Sequence, residues 1–209
     1  MNSTTEPKKA LTISVFSRSP IPGRTKTRLI PVLGQLGAAK LHELMLERTL
    51  ATVYQAQVGP VCLVVTGRHV FFEKLTERFE IDVVLQTDGS LGKKMFSEVE
   101  RVLARDSAVC LVGSDCPGIV TQDFLEVHKA LSEDKDLVIG PSNDGGYYLI
   151  AMSKPYDFLF SQMRWGEASV FEMTLDQATR ENLKIHLLET KSDIDVPGDL
   201  AKLPEGWDV

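Results

Sequence analysis

Several clusters in this 209-residue sequence hold residues of types and spacings that could do chemistry. The first is Ser17-Arg18-Ser19-Pro20-Ile21-Pro22-Gly23-Arg24-Thr25-Lys26-Thr27-Arg28-Leu29. There Arg18, Arg24, Lys26 and Arg28 are uninterrupted by any acid, although the whole chain carries a net charge of −6. A positive island in an acidic protein suits a small anionic ligand, and Arg can grip phosphate oxygens bidentately. Pro20 and Pro22 fix φ at the entry, while Gly23 permits a conformation or a close backbone approach that a Cβ would block. Neither G-x-x-x-x-G-K-S/T nor G-x-G-x-x-G occurs here, so the two familiar phosphate loops are excluded. A solvated basic loop is the competing reading.

The remaining clusters are acidic. In Val109-Cys110-Leu111-Val112-Gly113-Ser114-Asp115-Cys116-Pro117 an acid stands at the end of an apolar run, where Asp115 can offer oxygen to Mg²⁺ or Mn²⁺. Its alternative role, capping the following helix, is better filled by Thr121. Asn143-Asp144-Gly145-Gly146-Tyr147-Tyr148 contains Asp-Gly between apolar runs, a hairpin signal. It also sets Asp144 beside Gly145, Gly146 and Tyr147, a narrow ledge on which an acceptor could lie. In Ser192-Asp193-Ile194-Asp195-Val196-Pro197-Gly198-Asp199-Leu200, Asp193 and Asp195 share a side if the segment is extended. A cation shared with Asp115 would explain two acids aimed at one place; simple surface exposure would also do. Asp199 suits the first turn of a short helix.

Short apolar runs alternating with segments of helical period must position these clusters, the pattern of βαβ units around a mostly parallel sheet. Strands are expected over 11–17, 61–66, 81–85, 109–113, 137–140, 147–152 and 184–188, with helices in the gaps. The clearest helix carries Leu36, Lys40, Leu41, Leu44, Met45, Thr49 and Val53 at the 3.6-residue period. Others are expected over 91–105, 121–131 with Thr121 as cap, 167–181 and 197–203. No break in composition, linker or repeat divides the chain, so one domain over 11–209 follows a polar, frayed tail over 1–10.

Composition narrows the classes. With 43% hydrophobic and 25% charged residues the chain is of globular type, and no apolar run reaches the roughly 18 residues a membrane span needs. The acidic balance argues against nucleic-acid binding. Cys62, Cys110 and Cys116 lack C-x-x-C spacing, so neither a disulfide framework nor a zinc site is indicated and a cytoplasmic setting is expected. His42, His69, His128 and His186 are scattered and read as structural or surface residues.

Taken in order, these segments resemble the glycosyltransferase-like DUF2064 family, also called selenodomain-associated transferase 1, within the nucleotide-diphospho-sugar transferase superfamily. Pro22-Gly23-Arg24-Thr25-Lys26-Thr27-Arg28-Leu29 looks like its first signature and Gly113-Ser114-Asp115-Cys116-Pro117 like its second. Gly140-Pro141-Ser142-Asn143-Asp144-Gly145-Gly146-Tyr147-Tyr148-Leu149 resembles its third, and Asp193-Ile194-Asp195-Val196-Pro197-Gly198-Asp199-Leu200 its closing motif. The resemblance implies a single-domain α/β fold of the A-type glycosyltransferase kind, a mostly parallel sheet flanked by helices. It implies that the first loop, with Arg18, Gly23, Arg24, Lys26, Thr27 and Arg28, wraps a nucleotide. Asp115 then binds the divalent cation and Asp195 completes that site. Gln86 and the Leu91-Gly92 step resemble a segment lying along the nucleotide, with Ser90 where the family usually carries an acid.

The expected activity is metal-dependent glycosyl transfer from a nucleotide-sugar, with Lys26 and Arg28 holding the leaving group and Asp144 as general base. Nucleotidyl transfer from a nucleoside triphosphate, of the guanylyltransferase kind, is the alternative, and four clustered cations suit a triphosphate slightly better. A non-catalytic nucleotide-binding module is a third reading. No residue pattern specifies the base, the sugar, the acceptor, the stereochemical outcome or the oligomeric state.

Overall fold

In the computed structural model, which describes residues 10–161, 163–204 and 206–207, the apolar runs become strands. They are β1 (Leu11–Ser17), β2 (Val61–Val65), β3 (Asp82–Leu85), β4 (Ala108–Gly113), β5 (Leu137–Pro141), β6 (Tyr147–Met152) and β7 (Ile185–Leu187). Between them run α1 (Ile30–Ala56), α2 (Val70–Arg78), α3 (Leu91–Leu103), α4 (Thr121–Ser132) and α5 (Val170–Arg180). The tail expected over 1–10 lies, apart from Ala10, outside the described residues, as do the last two residues of the expected domain. No described helix is long and apolar enough to cross a membrane.

The strands form one sheet in the order β3-β2-β1-β4-β6-β5-β7. All neighbours are parallel except those of β6, which runs antiparallel to β4 and to β5. The reversal is local: only the turn through Asp144 joins β5 to β6, too short for the crossover a parallel pair needs. Alternation along β4 divides the core. Cys110 and Val112 face α1, α2 and α4, while Val109 and Leu111 face α3 and α5. A third cluster joins Leu29, Leu41 and Met45 to Ile194, fixing the last stretch of chain against the start of α1.

Element boundaries follow backbone chemistry. Gly34, at φ 69° and ψ 171°, breaks the first turn of α1 from the rest. The buried stripe begins after it, at Ala38, and runs through Leu41, Met45, Leu46, Leu50 and Val53, while Leu36 stands 68% exposed near the break. Thr121 is not the cap of α4. That position falls to Val120, whose N–H donates to Asp123 Oδ2 at 2.8 Å, so the third residue reaches back in place of a cap hydroxyl. The helix expected over 167–181 starts at Val170, and the one expected over 197–203 is a 3₁₀ turn, Pro197–Lys202. Helix α2 buries only Phe72 and Leu75, too few to register as a helical period.

The chain turns one way from β1 into β2 and the other way across to β4, so the carboxyl ends of β1 and β4 flank a topological switch point. Phe16 pairs in register with Gly113, which sets the basic loop after β1 beside the Asp115 loop after β4.

All three cysteines are free and buried. Burial pushes the Cys62 thiol up to about 11 and Cys116 to about 12. At pH 8 the native protein is therefore expected to leave a chromogenic disulfide reagent unreacted on the minutes scale, and to titrate three thiols in guanidinium. Rapid labelling of a thiol in the folded chain would contradict this packing.

Candidate active site

The basic loop folds inward at one residue. Gly23 adopts φ +79°, and Thr25 pins the turn by donating from Oγ1 to the Ser19 carbonyl at 2.7 Å. Lys26 then takes a left-handed conformation, φ 49° and ψ 44°, which costs a non-glycine residue on the order of 1 kcal/mol. Its side chain is only 4% exposed, and Nζ lies 3.0 Å from Asp115 Oδ2 and 4.0 Å from Asp195 Oδ1. Nζ also donates to the Ile194 carbonyl at 2.5 Å. Sequence reasoning expected a cation offered to phosphate; the structure places Lys26 as the tie between two acids from distant parts of the chain. Arg28 is 70% exposed and donates to Asp195 Oδ2. Arg18, Arg24 and Thr27 are exposed, and among the described residues no carboxylate pairs with either arginine.

Asp115 and Asp195 therefore converge at the sheet's rim. Ile194 is fully buried, worth roughly 1.5–3 kcal/mol for such a side chain, and its N–H donates to the Asp115 carbonyl at 2.9 Å. With Ile194 inward, Asp193 and Asp195 emerge on the opposite side, as an extended segment requires. Asp199 Oδ2 accepts from the N–H of Asp195 at 3.0 Å and of Val196 at 2.9 Å, so it organises the turn rather than the site.

His42 is a site residue that sequence reasoning passed over. It sits on the buried stripe of α1, with Nδ1 3.5 Å from Asp115 Oδ1 and Nε2 3.0 Å from Ser17 Oγ. A lone histidine among apolar residues carries no spacing signal, so only the fold reveals it. Burial alone would raise the Asp115 carboxyl; Lys26 and His42 outweigh that and hold it well below the ordinary carboxylate range. The opposite holds at Asp193, where burial, then Asp144, Asp115 and Asp195, push the carboxyl up to about 6 against the pull of Lys26.

Beyond Asp193 opens a cavity of about 240 Å³ between the ends of β1, β4 and β6 and the segment before α5. Asp144, Gly146 and Tyr147 line it, as does Gly113, whose added Cβ would meet nothing closer than the Tyr148 carbonyl at 3.9 Å. Asp144 Oδ1 accepts from the Ser142 hydroxyl and, at 3.0 Å, from the Gly146 N–H, leaving Oδ2 for another partner. Gly145 does not join this ledge; at φ +87° its Cβ position falls on the Ala168 carbonyl, and its own carbonyl accepts from Phe171 N at 2.9 Å. Gly92 likewise serves packing, since a Cβ there would strike the Phe160 carbonyl and Trp165 Nε1; its neighbour Leu91 lines the cavity instead. Gln86 Nε2 donates to the Val64 and Ser17 carbonyls at 3.2 and 3.4 Å, which places its amide at the ends of β1 and β2. Trp165, on a loop without periodicity to read, and Glu167, expected in the helix but lying just before it, complete the cavity.

Asp115 and Asp195 supply hard oxygen ligands, and Asp115 Oδ1 is enclosed without a hydrogen-bond partner. Among the described residues no three His, Cys, Asp or Glu side chains form a cage of their own. That set fits Mg²⁺ or Mn²⁺ in its usual mode, one or two carboxylates completed by water and substrate phosphate.

Replacing Lys26 with Met removes the one cation that Asp115 and Asp195 share, leaving Arg28 on Asp195 alone. Because Asp115 is half exposed, the expected loss is about 1–2 kcal/mol, or roughly 2–8 °C in Tm for a chain of this size. The depressed Asp115 carboxyl stabilises above its ordinary range and loses that contribution as acid protonates it. The parent-to-variant difference in metal-free thermal unfolding should hold at neutrality and shrink below about pH 4; a difference unchanged at strongly acid pH would refute the pairing.

No curated protein matches the chain in sequence. Among solved structures, the fold is similar to a candidate nucleotide-diphospho-sugar transferase from Desulfovibrio desulfuricans G20, at 26% identity and a TM-score of 0.81 over 90% of this chain and 83% of that one. It is also similar to a nucleotidyl transferase from Methanothermobacter thermautotroptrophicus, at 18% identity and 0.62 over 92% and 95%. A third likeness is to glucosyl-3-phosphoglycerate synthase from Mycobacterium tuberculosis, solved with Mn²⁺, UDP and glucosyl-3-phosphoglycerate, at 11% identity and 0.60 over 93% and 75%. The fold is thus that of the nucleotide-diphospho-sugar transferases. The profile of DUF2064, described as an uncharacterized protein conserved in bacteria, matches residues 49–167, more than half the chain and including the Asp115 and Asp144 motifs. By that match the chain belongs to the DUF2064 family.

Proposed function

We propose that this protein is a metal-dependent transferase that moves a glycosyl group from a nucleotide-sugar to a small acceptor. The convergence of Asp115 and Asp195 on Lys26, facing the basic turn across the switch point, carries this reading. Candidate or named transferases of the same fold support it, one of them solved with UDP and Mn²⁺. Arg18 and Arg24 stand ready for the diphosphate, with Gln86 at the strand ends beside it. A divalent cation held by Asp115 and Asp195 would neutralise charge developing on the departing diphosphate.

The chain's own groups do the rest. Lys26 keeps the two acids together and contributes positive charge behind the leaving group. The acceptor oxygen bonds to the anomeric carbon as the bond from that carbon to the diphosphate oxygen breaks. The electron pair leaves on the nucleoside diphosphate, and the hydroxyl proton passes to Asp144. Glycosyl transfer is favoured over nucleotidyl transfer because Lys26 and Arg28 are engaged by carboxylates, so the loop offers less spare charge than its composition suggests. The 70% exposure of Arg28 supports the second reading, since an entering triphosphate could draw it away from Asp195.

A thermal-shift panel of nucleoside diphosphates, triphosphates and nucleotide-sugars, with and without Mn²⁺, tests the binding half. At a hundredfold excess over Kd the right ligand adds about 2.7 kcal/mol, roughly 5–11 °C here, and Asp115→Ala should abolish its Mn²⁺-dependent part. Enzyme-dependent release of nucleoside diphosphate supports glycosyl transfer, whereas exchange of labelled pyrophosphate into a triphosphate would replace it with the alternative. Asp144→Asn should lower kcat by about 10²–10⁴ while leaving the nucleotide-induced shift intact; a variant with parental kcat would remove Asp144 from the mechanism.

A further inference from the structure

The two halves of the site differ in chemistry. The loop after β1 is cationic, but the cavity beyond Asp193 has no Lys, Arg or His among its lining residues, and its charged members are Asp144, Asp193 and Glu167. Its walls are otherwise largely apolar, with Phe16, Met95 and Leu111 on one side. Tyr147 and Trp165 supply two aromatic planes at 83° to each other, ring centroids 6.2 Å apart. The Tyr147 hydroxyl itself is enclosed, so Tyr147 lines the cavity with its other atoms. At about 240 Å³ the space falls below the roughly 300–1,000 Å³ of drug-sized pockets; it suits a sugar ring with a small substituent rather than a nucleotide.

We infer that this cavity is the acceptor subsite and that it selects an uncharged, hydroxyl-bearing ring with an apolar face, rejecting phosphorylated and carboxylated acceptors. The inference rests on the transferase reading for the word acceptor, but the selectivity follows from the cavity alone. A ring packs its apolar face on Trp165 and Tyr147 and directs hydroxyls to the carboxylates of Asp144 and Asp193, hydrogen-bond acceptors of the lining. A phosphate in the same place meets carboxylates and no countercharge among the lining residues, and like charges at such range repel strongly in a partly dry site. The same reasoning disfavours any reaction in which the attacking group is a phosphate.

Trp165 is a built-in reporter, since the chain has two tryptophans and the other, Trp207, packs at Arg48. In the full chain carrying Trp207→Phe, phenyl β-glucoside and phenyl phosphate are titrated separately while Trp165 emission is followed, with and without UDP and Mn²⁺. The expected result is a saturable change with phenyl β-glucoside and affinity for phenyl phosphate at least about tenfold weaker. In Asp144→Asn/Asp193→Asn the discrimination should narrow, with phenyl phosphate gaining affinity. Equal or tighter binding of phenyl phosphate to the parent protein overturns the inference, as does silence of Trp165 toward both probes under both conditions. A parallel thermal shift with UDP and Mn²⁺ separates the two claims. Loss of that shift alone sinks the transferase reading and leaves the measured selectivity standing, whereas a normal shift beside anion preference sinks only the subsite.

Discussion

One buried ammonium group organises this molecule's working end. Lys26 Nζ sits among Asp115, Asp195 and the Ile194 carbonyl, and an unpaired charge so enclosed would be expensive. Each partner therefore has to be where it is. The requirement explains why the loop tolerates a left-handed lysine, and why an isoleucine rather than another acid stands between Asp193 and Asp195. It also explains why His42 is drawn from the core stripe of α1 toward Asp115. Carboxylates gathered without that cation would push one another apart.

From this tie the site extends in two chemically opposed directions. Toward β1 lie arginines at the surface, suited to phosphate. Toward β6 lie Asp144, Tyr147 and Trp165 around an apolar hollow. Asp193 stands at the frontier and feels both sides, since Lys26 lowers and Asp144 raises its carboxyl. A substrate bridging the two would have a strongly anionic part and a neutral part, the electrostatic profile of a nucleotide-sugar meeting a hydroxylated acceptor. The fold supplies the geometry through the switch point between β1 and β4, and the particular chemistry comes from loops that any such sheet could carry.

Much of this was legible before any coordinates. Every expected strand exists, the buried ones because they read as short runs of Val, Ile and Leu and the exposed edge strand β3 because it too is rich in Val and Leu; β1 and β6 match to the residue. The clusters carrying Lys26, Asp115, Asp144, Asp193 and Asp195 do meet. What stayed hidden depended on tertiary context. Nothing local distinguishes a lysine that faces solvent from one that bridges acids more than eighty residues away, so Lys26 read as a phosphate grip. Gly92 and Gly145 read as ligand glycines, yet their missing Cβ atoms make room for the Phe160 and Ala168 carbonyls. Thr121 is not the cap because Val120 holds that position, its own N–H tied back to Asp123 three residues on. His42 and Trp165 carry no pattern at all, one being a single polar residue in an apolar stripe and the other part of an irregular loop.

The position of Ile194 in the chain has a consequence for biosynthesis. When a ribosome has emitted β7, every strand is available and the hydrophobic layers can close, yet the Lys26 ammonium, 168 residues behind Ile194, still lacks its carbonyl and one of its carboxylates. Docking of the segment around Ile194 onto Lys26 is a long-range event that follows synthesis of β7. A chain cut short after β7 can thus own every strand of the sheet and still lack the Ile194 carbonyl and the Asp195 carboxylate that hold the Lys26 ammonium.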